Sequence, residues 1–384
     1  MLLFYDSFDL YNTLSQKWDL VAPSAFVSSS LSRTGRNSLS IGSSAGYAQK
    51  NLANAATLIV GIAVNLNSVP SNAAVPISFT DNSTAQVDIR INSSGQMFFT
   101  RAGTTIGSTT AGATFTMGVW HYLEVKVTFN GSSGVAICKL DGVTVLNGTS
   151  LNTNNSGNNF ANQVSVGNRA ASVNIQGNID DCYICDTSGS RNNDFLGDVS
   201  ILAGLPIANG SLNNYTNVFA SWASSTSFPA GTRIKDSNGN VQQSGGGTSG
   251  GGSHPTWSTT GGGTTSDNTI TWTCIGSGSN PGSPNWMAVS EYPPDDNNSY
   301  VTDATVSDQD RYTFAAIAGS AVHAVAVNIR AEKDDASNRT IRAVVKSGGT
   351  TADNGTDFGL TLNSYGDFQA IFETPVFGSV SKIA

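Results

Sequence analysis

The chain has 384 residues, a formal net charge of −8, only 12% charged residues and 41 glycines. That length allows two or three domains, each with its own core. The acidic balance argues against a nucleic-acid partner, because affinity for a phosphate backbone needs clustered Lys and Arg. No segment approaches the roughly 20 apolar residues of a membrane-spanning helix.

Glutamate occurs only at Glu124, Glu291, Glu332 and Glu373, while Ser, Thr, Asn, Gly and Val abound, so strands are expected and long helices are not. The first residues, Met1 to Trp18, have no basic start, and Asp6 interrupts the apolar run. They do not read as a signal peptide. Apolar or alternating runs then predict short strands at Thr57 to Leu66, Gln86 to Asn92 and Gln96 to Ala102. In Trp120 to Phe129 the alternation sets Leu123, Val125, Val127 and Phe129 against Tyr122, Glu124, Lys126 and Thr128. Trp120 reads as a core residue. Gly134 to Gly148 is a predicted hairpin about an Asp141-Gly142 turn.

Four cysteines, Cys138, Cys182, Cys185 and Cys274, are too few for a disulfide framework. Cys182 and Cys185 form a CxxC on a strand-like segment, where positions three apart point to opposite faces. Plain core or edge thiols are expected there, not a metal site. The neighbouring Asp180 and Asp181 are expected to point oppositely, so that only one faces any given site.

A polar stretch between Phe219 and Gly276 holds three of the six tryptophans, Trp222, Trp257 and Trp272, with few aliphatics. Its rings must form a small core or face outward to a ligand. Sugar C–H patches stack on aromatic faces while hydroxyls bind amides and carboxylates, so Trp222, Phe228, Trp257 and Trp272 are the candidate glycan-binding residues. The Gly-rich run Ser244 to Ser253 is expected to be a flexible loop. Beyond it, Val322 to Asp335, Asn338 to Thr350 and Asp367 to Pro375 read as further strands, with His323 packed among core valines. Asp295, Asp296, Asp303, Asp308 and Asp310 read as a solvated acidic loop.

A glycoside hydrolase needs two carboxylates flanking the scissile bond, about 5–9 Å apart. No run here offers them: Glu124 stands alone, and Glu291 precedes Tyr292-Pro293-Pro294. His121, His254 and His323 adjoin no nucleophile motif, and no phosphate loop or HExxH is present. The expectation is a protein that is not an enzyme.

Several motifs occur in an order that resembles the concanavalin-like jelly roll of laminin-G-type domains. They are DSFD from Asp6, GRNSLSI from Gly35, GVWHYLEVKV from Gly118, KLDGVTV from Lys139, VSVGN from Val164 and IQGNIDDCYICD from Ile175. The resemblance implies an all-β fold over 1–190 and allows a calcium ion near Asp181; no other cofactor is implied. This layout also resembles bacteriophage structural proteins. The DxDRYTF run from Asp308 and its following strands resemble a second antiparallel β-sandwich of virion proteins, over 191–214 and 282–384. Its last strand would lie beyond Pro375, short or supplied by a neighbour. Between its parts, 215–281 resembles a chitin-type carbohydrate-binding module. Together these resemblances imply a virion protein assembled in the host cytoplasm, homo-oligomeric, bound to other virion proteins and able to meet host-surface glycans. The alternatives are a free lectin or adhesin and, third, an enzyme on the concanavalin fold.

Overall fold

The computed structural model describes residues 1–42, 45–69, 73–112, 114–169, 175–276, 284–316, 322–347 and 349–373. They are nearly all β, and the chain divides into two compact units. The first is Met1–Ala203 together with the described part of Gly319–Ser381; the second is the described part of Gly204–Ala318.

Two antiparallel sheets form the sandwich of the first unit. The eight-stranded sheet runs Val143–Leu151, Gly134–Leu140, His121–Thr128, Thr57–Ser68, Gln176–Asp186, Ser38–Ile41, Ala25–Ser28, and Leu2–Asp6 adds beside Gln176–Asp186. The seven-stranded sheet runs Thr104–Thr109, Met97–Arg101, Thr84–Ile91, Ala74–Asp81, Ala161–Asn168, Gly46–Ala55, Leu20–Val21. Beside consecutive hairpins, strands distant in sequence pair in both sheets, Thr57–Ser68 with Gln176–Asp186 and Ala74–Asp81 with Ala161–Asn168, as a jelly roll requires. The expected hairpin forms, with Asp141 and Gly142 both at positive φ, the geometry a tight two-residue turn demands.

The Thr57–Ser68 strand shows why its sequence is apolar on both faces. Leu58, Val60, Ile62 and Val64 fill the core between the sheets, while Ile59 and Ala63 join an outer cluster with Tyr122, Tyr183 and Cys185. That outer face is covered by Phe195, Leu196 and Val199, part of a segment that straps across the sheet. Trp120 is only half-buried and packs at this outer cluster, not in the inter-sheet core. Cys182 lies in the inner core and Cys185 in the outer cluster, so the two thiols of the CxxC point apart.

Gly61 sits beneath Tyr183, and a Cβ there would lie 2.1 Å from the ring. Gly61→Ala is expected to lower stability by about 1–3 kcal/mol through overpacking, measured as a shift in the urea midpoint. An unchanged midpoint would contradict this packing.

Residues 322–373 add short strand pairs to the first unit. Val325–Ala331 pairs with Gly366–Phe372, Val344–Ser347 with Thr350–Asp353, and Thr340–Ile341 with Phe358–Gly359. They are tied to the sandwich by Leu2 N–H donating to Glu373 Oε1 at 2.6 Å and Gln369 Nε2 donating to the Tyr5 carbonyl at 3.1 Å. The grouping expected for 191–214 with 282–384 therefore spans both units. His323 is exposed and precedes the strand, which begins at Val325, so it is not packed among core valines as expected. The completing strand expected beyond Pro375 falls outside the described residues.

In the second unit, Pro206–Asn213 pairs with Asp310–Phe314 and Thr216–Phe219 with Ser299–Thr302. Between them in sequence lies a four-stranded sheet in the order Arg233–Lys235, Val241–Ser244, Ile270–Gly276, Thr264–Asp267. The Gly-rich run is not simply a loop: Gly247–Thr248 pairs with Ser227–Phe228.

Candidate functional site

The four aromatic candidates of the second unit come together, but mostly as a core. Phe228, Ile234, Trp257, Ile270 and Trp272 form one buried cluster, and Trp222 packs against it half-buried. Trp272 is fully buried, edge-on to Phe228 at 5.1 Å and to Trp257 at 5.7 Å. A ring with no free face cannot stack on a sugar. The glycan-facing role expected of Phe228, Trp257 and Trp272 is therefore corrected: with few aliphatics available, this sheet uses its large rings as core. Trp222 keeps some exposure and has the exposed His254 edge-on at 6.3 Å. Its indole N–H donates to Asp267 Oδ2 at 2.8 Å.

Asp181 does not fit a calcium ion. Its carboxylate accepts from Arg33 Nη1 at 2.9 Å, Thr34 Oγ1 at 2.7 Å and the Ile201 N–H at 2.7 Å. A guanidinium already neutralises it, and no group of three metal-ligating side chains occurs among the described residues. Asp180 and Asp181 also do not point apart as expected. Asp181 has φ 48, and the register slips between Asp180 and Tyr183, a bulge that turns both carboxylates toward Arg33 and Thr34. Burial, then the charge of Asp181, raises the Asp180 pKa to about 8.

The remaining prominent carboxylate of this unit, Glu124, is also engaged. It is buried and accepts from Tyr183 Oη at 2.5 Å and the Gly197 N–H at 2.8 Å. A cavity of about 280 Å³ lies between the edge strands Thr104–Thr109 and Val143–Leu151, and none of its lining residues is charged.

A buried polar row that sequence reading missed lies on the face of the seven-stranded sheet turned away from the inter-sheet core. Gln49, Ser165, Ser78, Asp88 and Thr100 stand side by side on consecutive strands, one polar side chain from each. They are bonded laterally: Ser165 Oγ donates to Gln49 Oε1 at 3.2 Å and Ser78 Oγ to Asp88 Oδ1 at 2.7 Å. Arg90 arches over the far end, with Nε donating to Thr100 Oγ1 at 2.8 Å and Nη2 to Asp88 Oδ2 at 3.2 Å. Two residues along the strands, on the same face, the half-buried rings of Tyr47 and Phe98 flank this floor. Opposite Tyr47 stands Gly167, at φ 123 with the Tyr47 Cα only 2.7 Å from where a Cβ would be, so no side chain rises there. The pattern was present in the sequence as polar residues alternating with Ile77, Phe79, Val87, Ile89 and Phe99. Only the register, however, aligns those polar positions into one row.

No family model and no curated protein matches this chain. Among solved structures it is similar to alginate lyase Aly36B, at 14% identity over 47% of this chain and 95% of that one, with a TM-score of 0.33. It is also similar to domain 4 of AbnA, a GH43 extracellular arabinanase from Geobacillus stearothermophilus in complex with arabinotriose. There the identity is 13%, over 48% of this chain and 91% of that one, with a TM-score of 0.32. A Trypanosoma rangeli sialidase matches at 10% identity over 42% of this chain and 27% of that one, with a TM-score of 0.32. The two-sheet architecture described above rests on strand order and register, not on these likenesses.

Proposed function

We propose that this chain is a non-catalytic, carbohydrate-binding structural protein of a bacteriophage particle, exposed on the particle surface. The observation that carries the binding reading is the pair of half-buried rings Tyr47 and Phe98, with half-buried Arg90 paired opposite Phe98, beside the buried polar row Gln49–Ser165–Ser78–Asp88–Thr100. The half-buried rings answer sugar C–H faces and the Arg90 guanidinium answers sugar hydroxyls, while the buried row, hydrogen-bonded within itself, holds the strands that carry them. The non-catalytic reading is supported by the engagement of Asp181 and Glu124 in buried hydrogen bonds. The virion setting rests on the order of sequence motifs and carries with it self-association and contact with other virion proteins.

The test is a glycan array probed with the full chain. Tyr47→Ala and Phe98→Ala are each expected to weaken any glycan retained by roughly 3- to 10-fold, the worth of one lost aromatic contact of about 0.5–1.5 kcal/mol. Melting temperature should move little, because both rings lie outside the core. An array with no retained glycan, or variants that bind like the parent, would remove this reading. Immunogold labelling of purified particles, with antibody to 215–281, tests the virion setting separately.

A further inference from the structure

Within the second unit, Arg233 ties the four-stranded sheet to the chain around 285–299. Its guanidinium donates to the Met287 carbonyl at 2.5 Å, Ser290 Oγ at 2.9 Å and the Ser290 carbonyl at 3.3 Å. Its Nε reaches Gln243 Oε1 at 3.4 Å. These bonds occupy both Nη1 protons, so Glu291 Oε2, 3.7 Å from Nη1, receives charge but no hydrogen bond. Asp295 is alike on one side only: its Oδ1 accepts from Ser299 N–H and Oγ at 2.9 and 3.0 Å, while its Oδ2 is buried with no donor. The Glu291 side chain is 9% exposed.

Two buried carboxylate oxygens without donors are costly, and an uncompensated pair of charges is costlier. One proton between them answers both needs. We infer that Glu291 and Asp295 share a single proton, and that this proton closes the Arg233 anchor of the four-stranded sheet. The charged groups facing the pair are Arg233 and, beside Asp295, Asp296. Burial first, then the Asp295 charge, raises the Glu291 pKa from 4.5 to about 8, against the backbone N–H of Glu291, the charge of Arg233 and the Ser290 N–H. Asp295 is also raised, by burial before Asp296, while Ser299 lowers it. An acid raised in the folded state holds its proton more tightly when the anchor is closed. Its stabilisation is complete below 4.5 and is lost as pH rises through about 8.

Hydrogen–deuterium exchange on the full chain, corrected for intrinsic rates, tests this in the segments 233–244 and 285–299. Protection in the parent is expected to fall about tenfold per pH unit between the two pKa values and to level off above them, the slope of one proton. Glu291→Gln keeps the shape and supplies a fixed N–H donor, so its protection should no longer follow that slope. Asp295→Asn, which offers its own N–H to Glu291, is expected to behave likewise should the first variant fold poorly. A parent without the slope, or variants that retain it, would overturn the proposal. So would a parent that regains full protection at pH 8 on adding calcium chloride, since a cation would then be the missing partner.

Discussion

Trp272→Ala is expected to unfold the four-stranded sheet of the second unit while the sandwich of the first unit keeps its melting transition. The ring is fully buried and touches Phe228 and Trp257 edge-on, and its indole N–H donates to Asp267 Oδ2 at 3.1 Å. Truncation removes the centre of a cluster whose other buried members are only Phe228, Ile234, Trp257 and Ile270. The cost of Trp→Ala in a core is about 3–5 kcal/mol, comparable with all that so small a core supplies. The loss also reaches the neighbouring loop. Asp267 is held below the ordinary aspartate range: burial alone would raise it, but Trp222, the Gly250 N–H and Trp272 donate to it. Without Trp272 that clamp loses one of three donors. Tryptophan fluorescence and limited proteolysis within 220–276 report the outcome. Trp257→Ala should act the same way, at 5% exposure. Retained emission and protease resistance in both variants would mean that the rings are not the core.

For Trp257 the sequence left a core role and a glycan-facing role both open, and the choice between them is physical. Composition showed that the segment lacks aliphatics, but not which of two remedies it uses. The strand pairing Thr265↔Trp272 and the bond network on Asp267 decide for burial. Elsewhere, periodicity was enough. Leu123, Val125 and Val127 alternate inward as read, and the Asp141-Gly142 turn closes its hairpin. The same strand also shows the limit of that reading. Tyr122 and Glu124 lie opposite that apolar set as read, yet both are buried, because the segment 194–201 covers them. That covering depends on contacts far apart in sequence. Lys126 meets Asp194 at 3.1 Å, Lys139 lies over the Phe195 ring at 4.4 Å, and Tyr183 Oη accepts from the Leu196 N–H at 3.1 Å. No local pattern encodes them. The polar row was hidden for a related reason: each member looks like an ordinary outward residue until five strands are put in register.

Removing Arg33 is expected to release this strap and to make the first unit sensitive to alkali. Arg33 Nη1 donates to Asp181 Oδ2 and to the Val199 carbonyl, both at 2.9 Å, and Nη2 bonds Asp198. Its guanidinium also lies 5.2 Å from the centre of the Tyr122 ring. Its backbone N–H and that of Thr34 serve Asp180 and would survive the substitution. The side chain's loss would leave Asp181, fully buried, with only the Thr34 hydroxyl and the Ile201 N–H. Leaving one member of a buried pair uncompensated costs about 3–5 kcal/mol, far more than an exposed pair contributes. Burial already raises the Asp181 pKa, and Arg33 is among the groups that lower it. Without Arg33 the carboxyl must rise further, so the folded state binds its proton more tightly than the unfolded chain does. Stability then falls as pH increases through the raised value, and Arg33→Ala should be closest to the parent in mild acid and furthest from it in mild alkali. Urea midpoints at pH 5 and pH 8 measure this directly. Arg33→Ala combined with Asp181→Asn should recover much of the alkaline loss, because the orphaned charge is gone. If the double variant is no more stable than Arg33→Ala at pH 8, the strap is held by the packing of Phe195, Leu196 and Val199 alone.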